Sequence, residues 1–175
     1  DWYVTIVGGS EMGIAESRET VLADCQQFQP NVLNAVPYFF DKVRRLLLER
    51  EENDGQTHSL PEFLGNEIRL CNSGGAALPD YVFDFYQARG VALRQGYGLT
   101  ESSPVISLST DDRFRRGSVG QAIPGVEIQI AADEEILTRG PHIMTGYWHD
   151  EPATAAAVED GWLHTGDLGR LDDEG

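Results

Sequence analysis

A polar loop with the sequence Q-G-Y-G-L-T-E-S-S-P carries the residues best suited to chemistry. Gly96 and Gly98 flank Tyr97, so the backbone can take positive φ on either side of the ring and a flat ligand can approach closely. Thr100 offers a hydroxyl to a phosphate oxygen, and Glu101 offers a carboxylate to a hard cation such as Mg²⁺. An ordinary strand-to-turn connection with a buried tyrosine would have the same composition.

Several stretches, taken together, resemble the adenylate-forming superfamily, which includes acyl-CoA synthetases, firefly luciferases and peptide-synthetase adenylation domains. The loop G-Y-G-L-T-E resembles its signature loop, and G-W-L-H-T-G-D-L-G-R, which begins at Gly161, resembles its Thr-Gly-Asp motif. S-G-G-A-A-L-P from Ser73 and G-Y-W from Gly146 resemble two further segments. The resemblance covers nearly the whole chain.

The resemblance implies a nucleotide site and a role for most of its residues. Tyr97 would lie against the adenine, and Asp167 would bind the ribose hydroxyls. Thr100 would contact the α-phosphate and Glu101 would hold magnesium, so these two are the implied catalytic residues. The remaining nucleotide-binding residues that it implies are Gly74, Gly75, Ala76, Gln95, Gly96, Gly98 and Leu99.

Each of these assignments has a simpler alternative. Tyr97 would also suit a ring packed inside its own loop. Thr100 and Glu101 would also suit local hydrogen bonds or a helix cap. Asp167, which follows a glycine, would also suit an Asx turn.

The implied activity is that of an acyl-CoA synthetase. Such an enzyme uses ATP and Mg²⁺ to convert a carboxylic acid into an acyl-adenylate, and coenzyme A then takes the acyl group. The run V-L-N-A-V-P-Y-F-F most resembles long-chain fatty-acid CoA ligases, although these usually carry arginine where this chain has Tyr38. Aryl- or medium-chain acyl-CoA ligases and amino-acid adenylation domains are alternatives. A catalytically inactive nucleotide-binding or interaction module is an alternative of another class.

Composition restricts the partners of the chain. Its net charge is −16 over 175 residues, which argues against nucleic acid or an anionic membrane as a partner, because both need clustered cations. Cys25 and Cys71 lie in apolar patterns without disulfide or metal spacing. The sequence has no transmembrane segment or signal peptide. We therefore expect a cytoplasmic protein whose partners are small molecules, namely a fatty acid, ATP and coenzyme A.

The predicted fold class is α/β, with a mostly parallel sheet and flanking helices, followed by the start of a β-rich subdomain. We place the α/β subdomain at residues 1–115 and the β-rich subdomain at 116–175. The predicted strands cover residues 3–7, 31–36, 67–71, 91–93, 117–120, 126–130, 135–138 and 168–171. Helices are predicted after Ser17, Pro37, Pro79 and Asp150, and a shorter one after Ser59. The second should end near Gly55, and Gly90 should close the third. The organising loop is expected to begin at Gln95.

The chain also lacks motifs that the superfamily has elsewhere. The phosphate loop with its lysine, expected before Asp1, is absent, and so is the lysine-bearing C-terminal domain. We therefore expect an internal piece of a larger enzyme that ends within a β unit. Alone it should make no acyl-adenylate, bind ATP poorly and self-associate through uncovered edges. Peripheral membrane contact of the parent enzyme is compatible with this sequence.

Overall fold

A computed structural model describes residues 7–110 and 113–175. A single turn of 3₁₀ helix covers Thr100–Ser102. The α-helices are α1 (Val21–Phe28), α2 (Pro37–Asp54), α3 (Leu60–Leu64), α4 (Asp80–Ala88) and α5 (Glu151–Ala157). The strands are β1 (Val32–Ala35), β2 (Leu70–Ser73), β3 (Ala92–Tyr97), β4 (Ser107–Leu108), β5 (Gln121–Ala122), β6 (Glu127–Ile130), β7 (Glu135–Arg139), β8 (Val158–Glu159) and β9 (Trp162–Leu168).

The strands form two sheets. A five-stranded sheet has the order β1-β2-β3-β4-β5, and a four-stranded sheet has the order β6-β7-β9-β8. Helix α4 joins the neighbouring strands β2 and β3, which is the connection that a parallel pair needs. The short strands β4 and β5 add two antiparallel pairings at one edge, and the four-stranded sheet is antiparallel. The predicted α/β class with a β-rich part after it is confirmed.

The chain divides into two compact units. The first contains residues up to 71 and residues 81–93, and the second contains residues 72–80 and 94–175. Strands β2 and β3 each pass from the first unit into the second. The predicted boundary near residue 115 stays a prediction. The first unit has the larger apolar core, whose fully buried side chains include Phe40, Val43, Leu47, Leu60, Leu64, Val82 and Tyr86.

Turn residues fix the ends of the longer helices as the sequence predicts. Pro37 occupies the first turn of α2, where its missing N–H costs nothing, and Gly55 closes the helix with φ of 67°. After α4 the N–H of Gly90 donates to Gln87 and the N–H of Val91 donates to the carbonyl of Tyr86. This is the Schellman arrangement expected of a glycine at that position.

Some predicted bounds are wrong. Most of the predicted strand at residues 3–7 lies outside the described residues, and Val7 itself is helical. Ser17 does not cap α1, because its hydroxyl accepts the N–H of Thr20 in the preceding turn. The strand predicted at 67–71 lies at 70–73.

Two predicted strands of the second unit differ most from the observed strands, and each difference has a physical reason. Residues 117–120 are irregular: the N–H of Ser118 closes a turn on the carbonyl of Arg115, and Gly117 and Gly120 take φ of 72° and 90°. The last strand ends at Leu168 instead of spanning 168–171. Its partner strand β7 begins at Glu135, which pairs with Leu168, so no ladder is available beyond that point.

No helix among the described residues is long and apolar enough to cross a membrane.

A bidentate ion pair ties α4 to α2 within the first unit. Arg89 donates from two guanidinium nitrogens to the two carboxylate oxygens of Glu51, at 2.8 and 2.9 Å. It also donates to the carbonyl of His58, whose own N–H donates to Glu51. Both charged side chains are about four-fifths buried, at 21% and 15% exposure. Loss of the guanidinium would leave a shielded carboxylate without its cation.

We predict that Arg89→Met lowers the melting temperature of the protein by several degrees, because the methionine keeps the apolar stem but leaves Glu51 unpaired. Arg45→Met is the matched control, since Arg45 pairs with Asp41 in solvent with 54% of its side chain exposed. Calorimetry should show no change for the control. Equal shifts for the two variants would contradict a special role for the buried pair.

Candidate functional site

A cavity of about 970 Å³ lies within the second unit. It is of the size that small-molecule sites usually have. Seven of the predicted nucleotide-site residues line it, namely Gly75, Ala76, Gln95, Gly96, Tyr97, Gly98 and Asp167. Gly74, Leu99, Thr100 and Glu101 are described but are not among the lining residues. The cavity therefore brings together the adenine and ribose side of the predicted site, and leaves the phosphate and metal side outside.

Two residues of the cavity wall, 70 positions apart in the sequence, share a hydrogen bond between their side chains. The hydroxyl of Tyr97 donates to Oδ2 of Asp167 at 2.8 Å. Burial and the neighbouring carboxylate of Asp167 raise the pKa of Tyr97 to about 12, so the phenol remains a donor at neutral pH. An aromatic face and a carboxylate are thus held next to each other at one point of the wall.

Tyr97 belongs to a strand, and the prediction of a loop from Gln95 onward is wrong for its first three residues. Strand β3 continues through Tyr97, which pairs with Ser107 on β4. The N–H of Gln95 donates to the hydroxyl of Ser109, and that hydroxyl donates to the carbonyl of Gln95. Short antiparallel pairing with β4 extends the strand up to Tyr97.

The two glycines beside Tyr97 do not use the positive φ that glycine allows. Neither Gly96 nor Gly98 takes positive φ. Gly98 is required for a different reason, because a Cβ there would meet the carbonyl oxygen of Pro104 at 1.9 Å. Gly75, on the β2 side of the cavity, is the glycine that does take positive φ, at 79°. Close backbone packing therefore explains Gly98.

Thr100 and Glu101 lie on the single 3₁₀ turn that follows β3. Thr100 is exposed. The carboxylate of Glu101 accepts a hydrogen bond of 2.7 Å from the hydroxyl of Tyr147, and its carbonyl accepts the N–H of Met144. The phenol, together with a backbone hydrogen bond, lowers the pKa of Glu101. The carboxylate is therefore ionised and oriented, as a cation ligand needs to be.

Sequence reasoning missed two residues that orient predicted site residues. Tyr147 lies in the G-Y-W segment, and its hydroxyl was the available signal, since a half-exposed tyrosine usually finds a polar partner. Glu135 begins β7, and its carboxylate accepts the N–H of Gly166 at 2.8 Å, next to Asp167. No local pattern marks Glu135, because its partner lies 31 residues away. Among residues 7–110 and 113–175, no group of three or more His, Cys, Asp or Glu side chains gathers as a metal site.

An α/β chain with a cavity of this size, and with an aromatic ring and a carboxylate on its wall, is of the class that binds small molecules at strand ends. The particular family follows from comparison with known proteins. Residues 1–148 match the family model described as AMP-binding enzyme. The chain belongs to the AMP-binding enzyme family.

The two relatives compared below are named as CoA ligases. The chain is 42% identical over 112 residues to a long-chain-fatty-acid–CoA ligase of Mycobacterium bovis. The aligned region covers 64% of this chain and 19% of that protein. The chain is 36% identical over 122 residues to indoleacetate–CoA ligase of Aromatoleum aromaticum, covering 63% of the chain and 24% of that protein. The chain therefore spans about a fifth to a quarter of the length of these relatives.

A solved structure of o-succinylbenzoate CoA synthetase from Bacillus subtilis, in complex with its acyl-adenylate intermediate, resembles the chain with a TM-score of 0.76 at 25% identity. The likeness covers 99% of this chain and 36% of that one.

We predict that Gly98→Ala destabilises the protein by about 3 kcal/mol, because a methyl group there must push apart packed backbone. Gly74→Ala is the matched control, since its Cβ would have no neighbour nearer than the carbonyl oxygen of Gly96 at 3.8 Å. Chemical denaturation should show a loss for the first variant and little change for the second. A stability of Gly98→Ala equal to that of the wild type would contradict the close approach.

We predict that Tyr147→Phe raises the pKa of Glu101 toward its ordinary value of 4.5, because the phenol that favours the charged form is removed. A carboxylate with a lowered pKa stabilises the fold above 4.5, and this contribution is lost as pH falls through the lowered pKa. The stability difference between wild type and variant should therefore exist at neutral pH and vanish in acid. Carbon NMR titration of labelled glutamate measures the pKa, with Tyr81→Phe as the control.

Proposed function

We propose that this chain forms the adenosine-binding part of an ATP-dependent acid–CoA ligase. The observation that carries the proposal is the contact of Tyr97 with Asp167 on the cavity wall, at 2.8 Å. The family to which the chain belongs and the names of its relatives support it. So does the likeness to a synthetase solved with an acyl-adenylate.

The residues fit an adenosine. The Tyr97 ring would stack on adenine, a contact worth about 1–3 kcal/mol per base in comparable sites. Among the described residues, Asp167 Oδ1 has no donor, so a ribose hydroxyl would be able to donate to it while Tyr97 keeps Oδ2. Gly75 and Ala76 also line the cavity and have almost no side chain, which leaves space for the ligand against the backbone.

The phosphate side of the site is proposed for Thr100 and Glu101, which follow Tyr97 on the 3₁₀ turn. Thr100 is exposed and would donate its hydroxyl to the α-phosphate. Glu101 would provide one oxygen ligand to Mg²⁺, while Tyr147 orients its carboxylate. Glu101 would thereby hold a positive charge next to the phosphates, which would neutralise part of their negative charge.

The acid is proposed to be hydrophobic, as a fatty acid is. Relatives that act on long-chain fatty acids support this choice, and indoleacetate–CoA ligase supports an aryl acid as the second candidate. We also propose a cytoplasmic location, which the two cysteines support because both are buried and free. Self-association and peripheral membrane contact stay predictions.

Pyrophosphate exchange by the full-length protein that carries this chain tests the proposal. The candidate acids are palmitate, octanoate, indoleacetate and leucine, each measured at saturating magnesium. We expect exchange with a fatty or aryl acid and none with leucine. A clear preference for leucine would contradict the proposed acid class.

In the same assay we predict that Glu101→Gln lowers the exchange rate by a factor on the order of 10², because the amide is a poor ligand for Mg²⁺ beside the phosphates. Glu151→Gln, which changes an exposed carboxylate in the first turn of α5, is the control and should leave the rate unchanged. Equal exchange rates for wild type and Glu101→Gln would show that Glu101 is not a magnesium ligand.

A further inference from the structure

The pairing of β7 with β9 is interrupted beside the cavity. Leu137 pairs with His164 and Glu135 pairs with Leu168. One residue of β7 therefore faces three residues of β9, residues 165–167, and the register shifts there. A bulge of this kind takes residues out of the regular ladder and changes the direction of a side chain. The side chain at the end of this bulge is that of Asp167.

Side chains bind the backbone N–H groups that leave the ladder. The N–H of Gly166 donates to Oε1 of Glu135 at 2.8 Å, and the N–H of Asp167 donates to the hydroxyl of Thr165 at 3.1 Å. Gly166 has φ of 72°, which a residue with a side chain would adopt only with strain. The bulge therefore has a defined shape, and a carboxylate from the neighbouring strand binds its central residue.

The other oxygen of the same carboxylate binds the residue at the start of the bulge. Oε2 of Glu135 lies 2.8 Å from Nδ1 of His164. The hydroxyl of Thr165 donates to the carbonyl of Ile136 at 2.7 Å, which adds a second link to β7. The Glu135 side chain is only 18% exposed, so water competes weakly for these bonds. One carboxylate thus bridges two points of the segment that carries Asp167.

We propose that Glu135 is a positioning residue for the ribose-binding carboxylate of Asp167. Its two hydrogen bonds hold the bulge in the shape that directs Asp167 toward Tyr97 and the cavity. The proposal rests on the function proposed above for Asp167. It adds that the affinity for the ribose depends on a residue of β7 that does not itself line the cavity.

The test measures binding of AMP, 2′-deoxy-AMP and 3′-deoxy-AMP to the full-length protein by calorimetry. Glu135→Ala removes both hydrogen bonds, and Glu135→Met does so while keeping the volume of the side chain. Glu135→Gln keeps an acceptor for the N–H of Gly166 and is the rescue variant. Glu127→Gln is the matched control, because Glu127 is a carboxylate of the same sheet that pairs with Arg139 in solvent.

We expect Glu135→Ala and Glu135→Met to weaken AMP binding about tenfold, since a small misplacement of a positioned group is costly. Both should bind the deoxy analogues nearly as wild type does, so that the preference for the intact ribose is lost. Glu135→Gln should stay within about threefold of wild type. Adding Asp167→Ala to Glu135→Ala should cause no further loss, because residues that act through one contact are not additive.

The outcomes separate this inference from the proposed function. If Asp167→Ala keeps the preference for AMP over its deoxy analogues, the ribose role of Asp167 fails, and the inference fails with it. If Asp167→Ala loses the preference but Glu135→Ala and Glu135→Met retain it, only the inference is overturned. Equal weakening for all three nucleotides, or loss of the folded state in both variants by circular dichroism, would assign Glu135 to sheet stability instead.

Discussion

The hydrogen bond from Tyr97 to Asp167 is the contact on which the candidate site depends. It joins the end of β3, in the five-stranded sheet, to the bulge of β9, in the four-stranded sheet. Neither residue would make a site alone, because a tyrosine on a strand and an aspartate after a glycine are common. They meet because each of the two sheets places one of them on the same cavity wall.

Tyr97 and Asp167 are held in position by two different kinds of contact. For Tyr97 the support is backbone pairing, since β4 lies beside the end of β3 and Gly98 lets the chain turn back against Pro104. For Asp167 the support comes from side chains, because the bulge has left the ladder and Glu135 binds it instead. The same division applies to Glu101, whose carboxylate is oriented by the phenol of Tyr147. Tyrosine hydroxyls and a buried carboxylate thus replace backbone pairing where the chain is irregular.

Local signals were sufficient to predict the regular parts of the fold. Pro37, Gly55 and Gly90 mark helix ends through backbone preferences that act within a few residues, and the structure confirms each. The family resemblance identified seven of the residues that line the cavity, whereas Gly74, Leu99, Thr100 and Glu101, which it also implied, are not on its wall. What the sequence could not provide was the partner of each residue across the sheets.

Three particular cases show this limit. The sequence shows that Gly96 and Gly98 allow positive φ, but it does not show that Gly98 is needed because the carbonyl of Pro104, six positions later, packs against it. The prediction of a strand at 168–171 relied on that run of residues alone. The observed strand ends at Leu168 because its partner β7 has its first residue, Glu135, at that point. Glu135 looked like any exposed glutamate, because the register that sets it beside Gly166 depends on pairing between distant segments.

The number of extra residues in the bulge of β9 is even. Between the flanking pairs, β7 advances by two residues and β9 by four, so the excess is an even number. Side chains alternate between the two faces of a sheet, so an even excess returns Leu168 to the face that it would occupy in an unbroken ladder. Loss of a single residue from 165–167 would place Leu168, the last residue of the strand, on the opposite face of the sheet. Loss of two would restore a regular strand, but it would remove the bulge that carries Asp167.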